Sequence, residues 1–337
     1  MRSLGDGPIV IAGAGSLGGY VGGVLARGGL PMRLLGRPAL GVEIAKHGLH
    51  VTSYEGLDHR FAPGAPAYFE DAAAALAGAR IVIVSVKSGA TAEMGAAIAA
   101  HAPEDAILVS LQNGVSNPSV LREAAPGRLV IPAMAPFNVV RLGQGRLHRG
   151  TSGAIKLGAA APGLAKRLSV AGLEMIETAE IEGVLWGKLL MNLNNALNAL
   201  SGLPLRAQLQ DRAWRRVLAA MIDEALGLMR AAGITPKAAA GAPPALIPRV
   251  LRLPDPLFRL AAGAMLKIDP EARSSMYEDL ALGRRTEIDA LQGEILTLAA
   301  RLGRAAPLCE RVVAAVRAAE AAQAGAPGLG PEAFAAA

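Results

Sequence analysis

In the stretch LWGKLLMNLNNALNAL, Lys188, Asn192 and Asn195 follow one another at i, i+4 and i+7 among Leu, Met and Ala. On a helix that spacing puts all three on one face. A lysine flanked by amides suits the reduction of a carbonyl. The ammonium stabilises the negative charge that grows on the oxygen and supplies its proton, while the amides fix its position. Partial burial lowers the lysine pKa toward the working range and makes it a better acid. The same residues also read as the polar stripe of an amphipathic helix, and spacing alone does not choose between the two.

A second chemistry stands near the start of the chain. Gly13, Gly15 and Gly18, with Ala14, Ser16 and Leu17 between them, spell G-x-G-x-x-G directly after an apolar run and directly before a helix that runs to about Arg27. The glycines permit a tight turn, close approach of backbone to a pyrophosphate and close packing of helix on strand, and the helix N-terminus attracts phosphate. The expected ligand is a dinucleotide. About 20 residues on, where a carboxylate would take a ribose diol, the chain reads Leu34, Leu35, Gly36, Arg37. The planar fork of Arg37 suits a 2′-phosphate, so NADPH is the expected cofactor, against the plainer alternative of a solvated surface arginine.

Lys87 closes the run IVIVSVK, and Asn113 sits in a QNG turn just after Ser110. The carboxyl ends of parallel strands face the ligand crevice, which points both residues at cofactor and substrate. Asn before Gly is otherwise a routine turn signal. Toward the C-terminus, SSMYEDLALGRRTEID carries Ser275, Asp279 and Glu287, and Thr286 with Asp289 forms a weak capping box. Alone, that segment reads as a charged surface helix.

Two kinds of scaffold must hold these groups. Up to about residue 180, short apolar runs alternate with helical patterns, the signature of a parallel sheet with crossover helices. Strands are expected over 8–12, 32–35, 81–87, 106–110 and 129–133, with edge strands near His148 and over 154–157. From Ile181 to Gln323 the period becomes helical, punctuated by Gly202, Pro204, Gly233, Pro236 and Pro270. Residues 238–253 are Ala- and Pro-rich, which suggests a loop, and residues 324–337 read as a disordered tail. The expected domains are therefore 1–180, for the dinucleotide, and 181–323, helical, for substrate and catalysis.

Composition bounds the alternatives. At 337 residues the chain exceeds what one core usually organises. Its single cysteine, Cys309, precludes an intramolecular disulfide and fits a reducing cytoplasm. The formal charge is +6, but the basic residues are dispersed without aromatic interleaving, so no nucleic-acid partner is expected. The uncharged stretch from Ile9 to Ala26 could be mistaken for a membrane span or signal-peptide core, but it holds six glycines and lacks a preceding basic region, so a nucleotide-binding turn explains it better and no membrane span is expected. An apolar helical surface supplies a motive for a homodimer.

In order along the chain, GAGSLGG, SVKSG, QNGV, LWGKLLMNLNNALNAL and SSMYEDLALGRRTEID resemble the motifs of ketopantoate reductases, also called 2-dehydropantoate 2-reductases, from Ile9 to about Val316. The resemblance implies a Rossmann-like α/β N-terminal domain followed by an all-α C-terminal domain of the 6-phosphogluconate-dehydrogenase type. It implies NADPH-dependent reduction of a small 2-oxo acid, without a metal. Lys188 would be the general acid, Asn113 would orient lysine and nicotinamide, and Glu287 would bind the substrate hydroxyl. Ser275 would hold the carboxylate, Asn192 and Asn195 would line the pocket, and Lys87 and Arg37 would serve the cofactor. One departure stands out. The family's second helix asparagine usually follows the first by four residues, whereas here candidates follow Asn192 by two, three and six. Asn195 shares the face and takes the role, with Asn198 as the alternative. Rival readings are another branched 2-oxo acid, a 3-hydroxyacid dehydrogenase, whose lysine is also followed four residues later by asparagine, and an idle NADPH sensor.

Overall fold

The computed structural model describes residues 7–238, 243–263 and 271–334. The chain divides into two compact units, 1–182 and 183–337.

The first unit begins with β1 (Ile9–Ala12), α1 (Ser16–Arg27), β2 (Met32–Leu35) and α2 (Pro38–His47). It continues through β3 (His50–Ser53), β4 (Asp58–Arg60), β5 (Tyr68–Phe69), α3 (Ala72–Leu76), β6 (Ile81–Val84) and α4 (Thr91–His101). Then follow β7 (Ile107–Ser110), α5 (Asn117–Ala124), β8 (Leu129–Met134), β9 (Val139–Arg141), β10 (Arg146–Arg149), β11 (Ile155–Gly158), α6 (Leu164–Leu168) and β12 (Met175–Thr178). Eight strands form one sheet in the order β12-β11-β8-β7-β6-β1-β2-β5. It is parallel throughout except where β11 runs against β8.

Both faces of that sheet are covered, which is why its strands are continuously apolar. Ile9, Ile11, Ile81, Ile83, Ile107 and Val109 pack to one side with Tyr20, Val21 and Val24 of α1. Val10, Ala12, Val82, Val84 and Leu108 pack to the other with Leu76, Ile98 and Leu121 of α3, α4 and α5.

A second sheet, in the order β4-β3-β10-β9, departs from expectation. The strand near His148 is not an edge strand of the main sheet. It is β10, an inner strand of the small one, parallel to β3 and antiparallel to β9. Helix α1 lies between the two sheets, and its glycines are spaced to allow it. A Cβ at Gly22 would run into Leu34 and Ile11 of the main sheet, and one at Gly23 into Leu49 and Val51 on the other side. The run expected over 81–87 stops as a strand at Val84, so Lys87 lies in the following turn rather than at the strand end.

The second unit contains α7 (Ile181–Asn192), α8 (Asn194–Ser201), α9 (Leu205–Gln210), α10 (Arg212–Ala231), α11 (Ile247–Arg252), α12 (Asp255–Ala261), α13 (Ser275–Ala281), α14 (Gln292–Arg301) and α15 (Pro307–Ala322). Part of the segment expected to be a loop over 238–253 is helix α11. The buried Arg215 of α10 donates to the Leu251 and Leu253 carbonyls and to Asp255, so this segment is anchored to α10. Pro270 lies outside the described residues.

The chain after Gln323 is not disordered over its described part. The Leu329 N–H bonds the Leu200 carbonyl at 2.9 Å, and Phe334, 3% exposed, packs against Trp214 with ring centroids 6.0 Å apart. Small residues hid this, because one aromatic at the end supplies the burial. Phe334→Ala is expected to cost about 3 kcal/mol of stability, the usual loss for a buried aromatic. Chemical denaturation of the two proteins measures it, and coincident midpoints would show that the tail is not held.

Candidate active site

The glycine-rich turn joins β1 to α1 and is held from below by β2, whose Leu35 carbonyl accepts the N–H groups of Gly13 and Ala14 at 2.9 and 2.8 Å. Each glycine has a separate reason. Gly13 has φ +102°, and a Cβ there would stand 2.5 Å from the Val86 amide nitrogen. Over Gly15 nothing lies within 4 Å, which leaves room for a ligand at the helix start. A Cβ at Gly18 would collide with the Ser85 hydroxyl and the Gly13 carbonyl. Gly15 caps α1 without a side-chain bond, and the first turn of a helix leaves its N–H groups without intrahelical partners. An open cradle of backbone donors, with Ser16 and Leu17 in the first turn, fits a pyrophosphate.

Arg37 follows β2 as the exposed residue that begins α2, and its guanidinium makes no hydrogen bond or ion pair among the described residues. Its carbonyl accepts from the Tyr68 hydroxyl at 2.7 Å. Burial, with Glu70 adding to it, pushes the Tyr68 pKa up to about 12, so the phenol keeps its proton. Tyr68 belongs to the two-residue strand β5, too short to read in sequence, and it fixes the backbone from which Arg37 projects.

Asn113 and Lys87 occupy neighbouring turns after β7 and β6. Beneath them is a group of polar side chains that the sequence does not announce. Buried Asn117 donates to the Asn113 carbonyl at 2.5 Å and to the Ser88 hydroxyl at 3.0 Å, and accepts from the Thr91 hydroxyl at 2.8 Å. Gln112 donates to Thr91 at 2.7 Å and to the Val86 carbonyl at 3.0 Å.

In the helical unit, Lys188 and Asn192 sit on α7 and Asn195 on α8. Leu193 between the helices keeps helical dihedrals, φ −57° and ψ −29°, and its N–H bonds the Leu189 carbonyl, so the helical course continues through it. The Leu193 carbonyl instead accepts from buried Gln292 at 2.8 Å. Asn198, the alternative to Asn195, is fully buried and already committed. It donates to the Leu203 carbonyl and to Gln208, and accepts the Ser274 N–H at 2.8 Å. Asn194 is likewise turned to Gln208, which leaves Asn195 without a side-chain partner among the described residues.

Ser274, not Ser275, caps α13. Its hydroxyl accepts the Tyr277 N–H and donates to the Asn195 carbonyl at 3.0 Å, which sets the exposed Ser275 one residue on from that anchor. Glu287 begins a short 3-10 turn bracketed by α15. Glu320 accepts the Thr286 N–H at 2.7 Å, and Arg317 pairs with Asp289 at 2.7 Å. The expected capping box closes one residue early, because Thr286 accepts from Ile288 rather than from Asp289.

Lys188 keeps part of its surface exposed, yet desolvation holds its ammonium below the ordinary lysine range, with no charged neighbour contributing. Gly187 beside it carries no side chain because the Lys237 carbonyl occupies the place of a Cβ, so residues 235–237 lie directly on α7. Among the described residues no cluster of His, Cys, Asp and Glu could hold a metal, and no helix is long and apolar enough to cross a membrane.

Comparison with known proteins gives the family. Residues 9–162 match the family described as Ketopantoate reductase PanE/ApbA, and residues 180–320 match its C-terminal counterpart. The chain belongs to the ketopantoate reductase family. A 2-dehydropantoate 2-reductase of Halobacterium salinarum is 28% identical over 93% of this chain and 98% of its own. The crystal structure of a PanE/ApbA family ketopantoate reductase from Ralstonia eutropha superposes with a TM-score of 0.80 at 29% identity, covering 94% of this chain and 99% of that one. D-mandelate dehydrogenase, solved with NADH and anilino(oxo)acetate, shares the fold at a TM-score of 0.77 and 20% identity over 94% and 99% of the two chains. Family membership makes this protein an oxidoreductase of the ketopantoate reductase type, with a sheet unit followed by a helical unit.

The depressed Lys188 pKa sets a pH-dependent cost. Where the unfolded chain holds the lysine proton and the folded protein does not, stability rises with pH, up to the ordinary lysine value of about 10.4. Below the folded pKa the cost is present in full. Lys188→Met is therefore expected to raise the Tm near neutral pH, with a gain that shrinks as pH rises through that window. Melting curves across pH check it, and a lower Tm near neutrality would contradict the desolvation.

Proposed function

We propose that this protein reduces 2-dehydropantoate (ketopantoate) to pantoate with NADPH, a step toward pantothenate and coenzyme A. The observation that carries the reading is the desolvated Lys188 ammonium, with no counter-ion among the described residues, in a chain whose other unit ends its first strand in an open glycine cradle. Gly13 to Gly18 would hold the pyrophosphate, Arg37 the 2′-phosphate, and Lys87 and Asn113 the nicotinamide end. When bound, the reduced nicotinamide supplies a hydride to the 2-oxo carbon. Lys188 gives a proton from Nζ to the ketone oxygen, which becomes the hydroxyl, and recovers a proton from solvent. Glu287 would hold the same hydroxyl, Ser275 the carboxylate, and Asn192 and Asn195 the sides of the pocket. A lowered pKa favours that transfer, because a strained ammonium is a stronger acid. The buried Cys309 thiol, pushed up in pKa by burial, suits a reducing cytoplasm.

Steady-state oxidation of NADPH with ketopantoate, compared with pyruvate and 2-oxoisovalerate, tests the substrate. Ketopantoate is expected to give the highest kcat/KM, and preference for another of the three would reassign it. Lys188→Ala is expected to keep NADPH affinity while losing roughly a hundredfold or more in kcat, the usual range for a general acid. Wild-type turnover by that variant would leave the stripe on α7 with a structural role only. Arg37→Ala is expected to weaken NADPH binding by about 1 to 3 kcal/mol and leave NADH nearly unchanged. Equal loss for both cofactors in a fluorescence titration would remove Arg37 from the phosphate site.

A further inference from the structure

We propose that Asn117 is the positioning residue of the sheet unit's share of the active site, holding Asn113 in place through its backbone and tying it to the turn that carries Lys87 and Ser88. The inference rests on the reading of Asn113 as a group at the reaction centre. Asn117 is 2% exposed and begins α5, four residues after Asn113. Its amide is used on both sides. Nδ2 donates to the Asn113 carbonyl and to Ser88 Oγ, and Oδ1 accepts from Thr91 Oγ1. Ser88 Oγ also donates to the Asn113 carbonyl, at 3.3 Å, which closes a small ring of bonds across the ends of β6 and β7.

The direction of each bond is determined outside Asn117. Thr91 Oγ1 already accepts from Gln112 Nε2, so its own proton goes to Asn117 Oδ1. Gln112 is in turn oriented because its Oε1 accepts from Ser110 and its Nε2 also reaches the Val86 carbonyl. The amide of Asn117 therefore has one orientation, and its two protons face the two turns. A buried donor pair of this kind fixes backbone better than packing does, because leaving any member unpaired carries its full desolvation cost. The Asn117 amide bonds to the turns that carry Asn113 and Ser88, so its loss is expected to act on the nicotinamide end.

The test is a double-mutant cycle in the full chain. Wild type, Asn113→Ala, Asn117→Ala and the double variant are compared for kcat and KM with ketopantoate and for NADPH dissociation constant. Asn117→Ala is expected to lower kcat roughly tenfold with KM changed less than about threefold. The double variant is expected to be no slower than Asn113→Ala alone, because a residue that acts through Asn113 has nothing left to position once Asn113 is gone. Thr91→Val, which removes the bond to Oδ1 at nearly constant shape, is expected to follow the same pattern with a smaller loss, and it carries the test should Asn117→Ala fail to fold. Losses that multiply in the double variant overturn the proposal, as does full turnover by Asn117→Ala. If the wild type reduces none of the 2-oxo acids, the functional reading fails, and the same cycle on the NADPH dissociation constant still decides the positioning role: coupled losses uphold it and independent ones overturn it.

Discussion

A lysine ammonium largely desolvated, with no carboxylate opposite it among the described residues, is costly, and in the helical unit Lys188 bears that cost. Lys188 stands on a helix that buries Val184, Leu185, Trp186, Leu189 and Leu190. Residues 235–237 lie on that helix through the gaps at Gly183 and Gly187. Among the described residues no ion pair relieves the charge, so it is free to respond to charge arriving on a bound molecule.

The groups that hold the candidate site are mostly neutral amides. Asn117 and Gln112 secure the turns of the sheet unit, and Asn198 and Gln292 secure α8, α13 and the α7–α8 junction. An amide offers donors and an acceptor without a net charge, so it satisfies buried backbone while leaving the local potential to Lys188 and Glu287. The Arg317–Asp289 pair beside Glu287 is exposed, where water screens it.

What the sequence disclosed follows the range of the interactions. The main-sheet strands were legible because a strand covered on both faces must be apolar along its length, as in Ile81–Val84. Helix α1 was legible from the glycines before it, and the change to helical period came near Ile181. Apart from the strand near His148 the small sheet was not, since HVTS, DHR and VVR are three- or four-residue strands, too short to show a period. Tyr68 escaped notice because its strand has two residues. Asn117 gave no signal and Asn198 looked like a candidate pocket residue, because their partners lie far off in sequence: Thr91 is 26 residues from Asn117, and Ser274 is 76 from Asn198. The Ser275 motif was visible, but the capping hydroxyl belongs to its neighbour, and only the Tyr277 N–H identifies which serine caps.

Helix α1 has an unusual dependence on its neighbours. Four of its twelve residues are glycine, Gly18, Gly19, Gly22 and Gly23, each disfavoured in a helix by roughly 0.8 to 1 kcal/mol against alanine. Such a segment has little tendency to be helical alone. It becomes a helix only when the main sheet closes on one side and the small sheet on the other, because the missing side chains are the space those sheets fill. The donors that would receive a dinucleotide are the first turn of that helix. The shape of the cradle therefore depends on β10, more than a hundred residues downstream, whose Leu147 fills the place of a Cβ at Gly19.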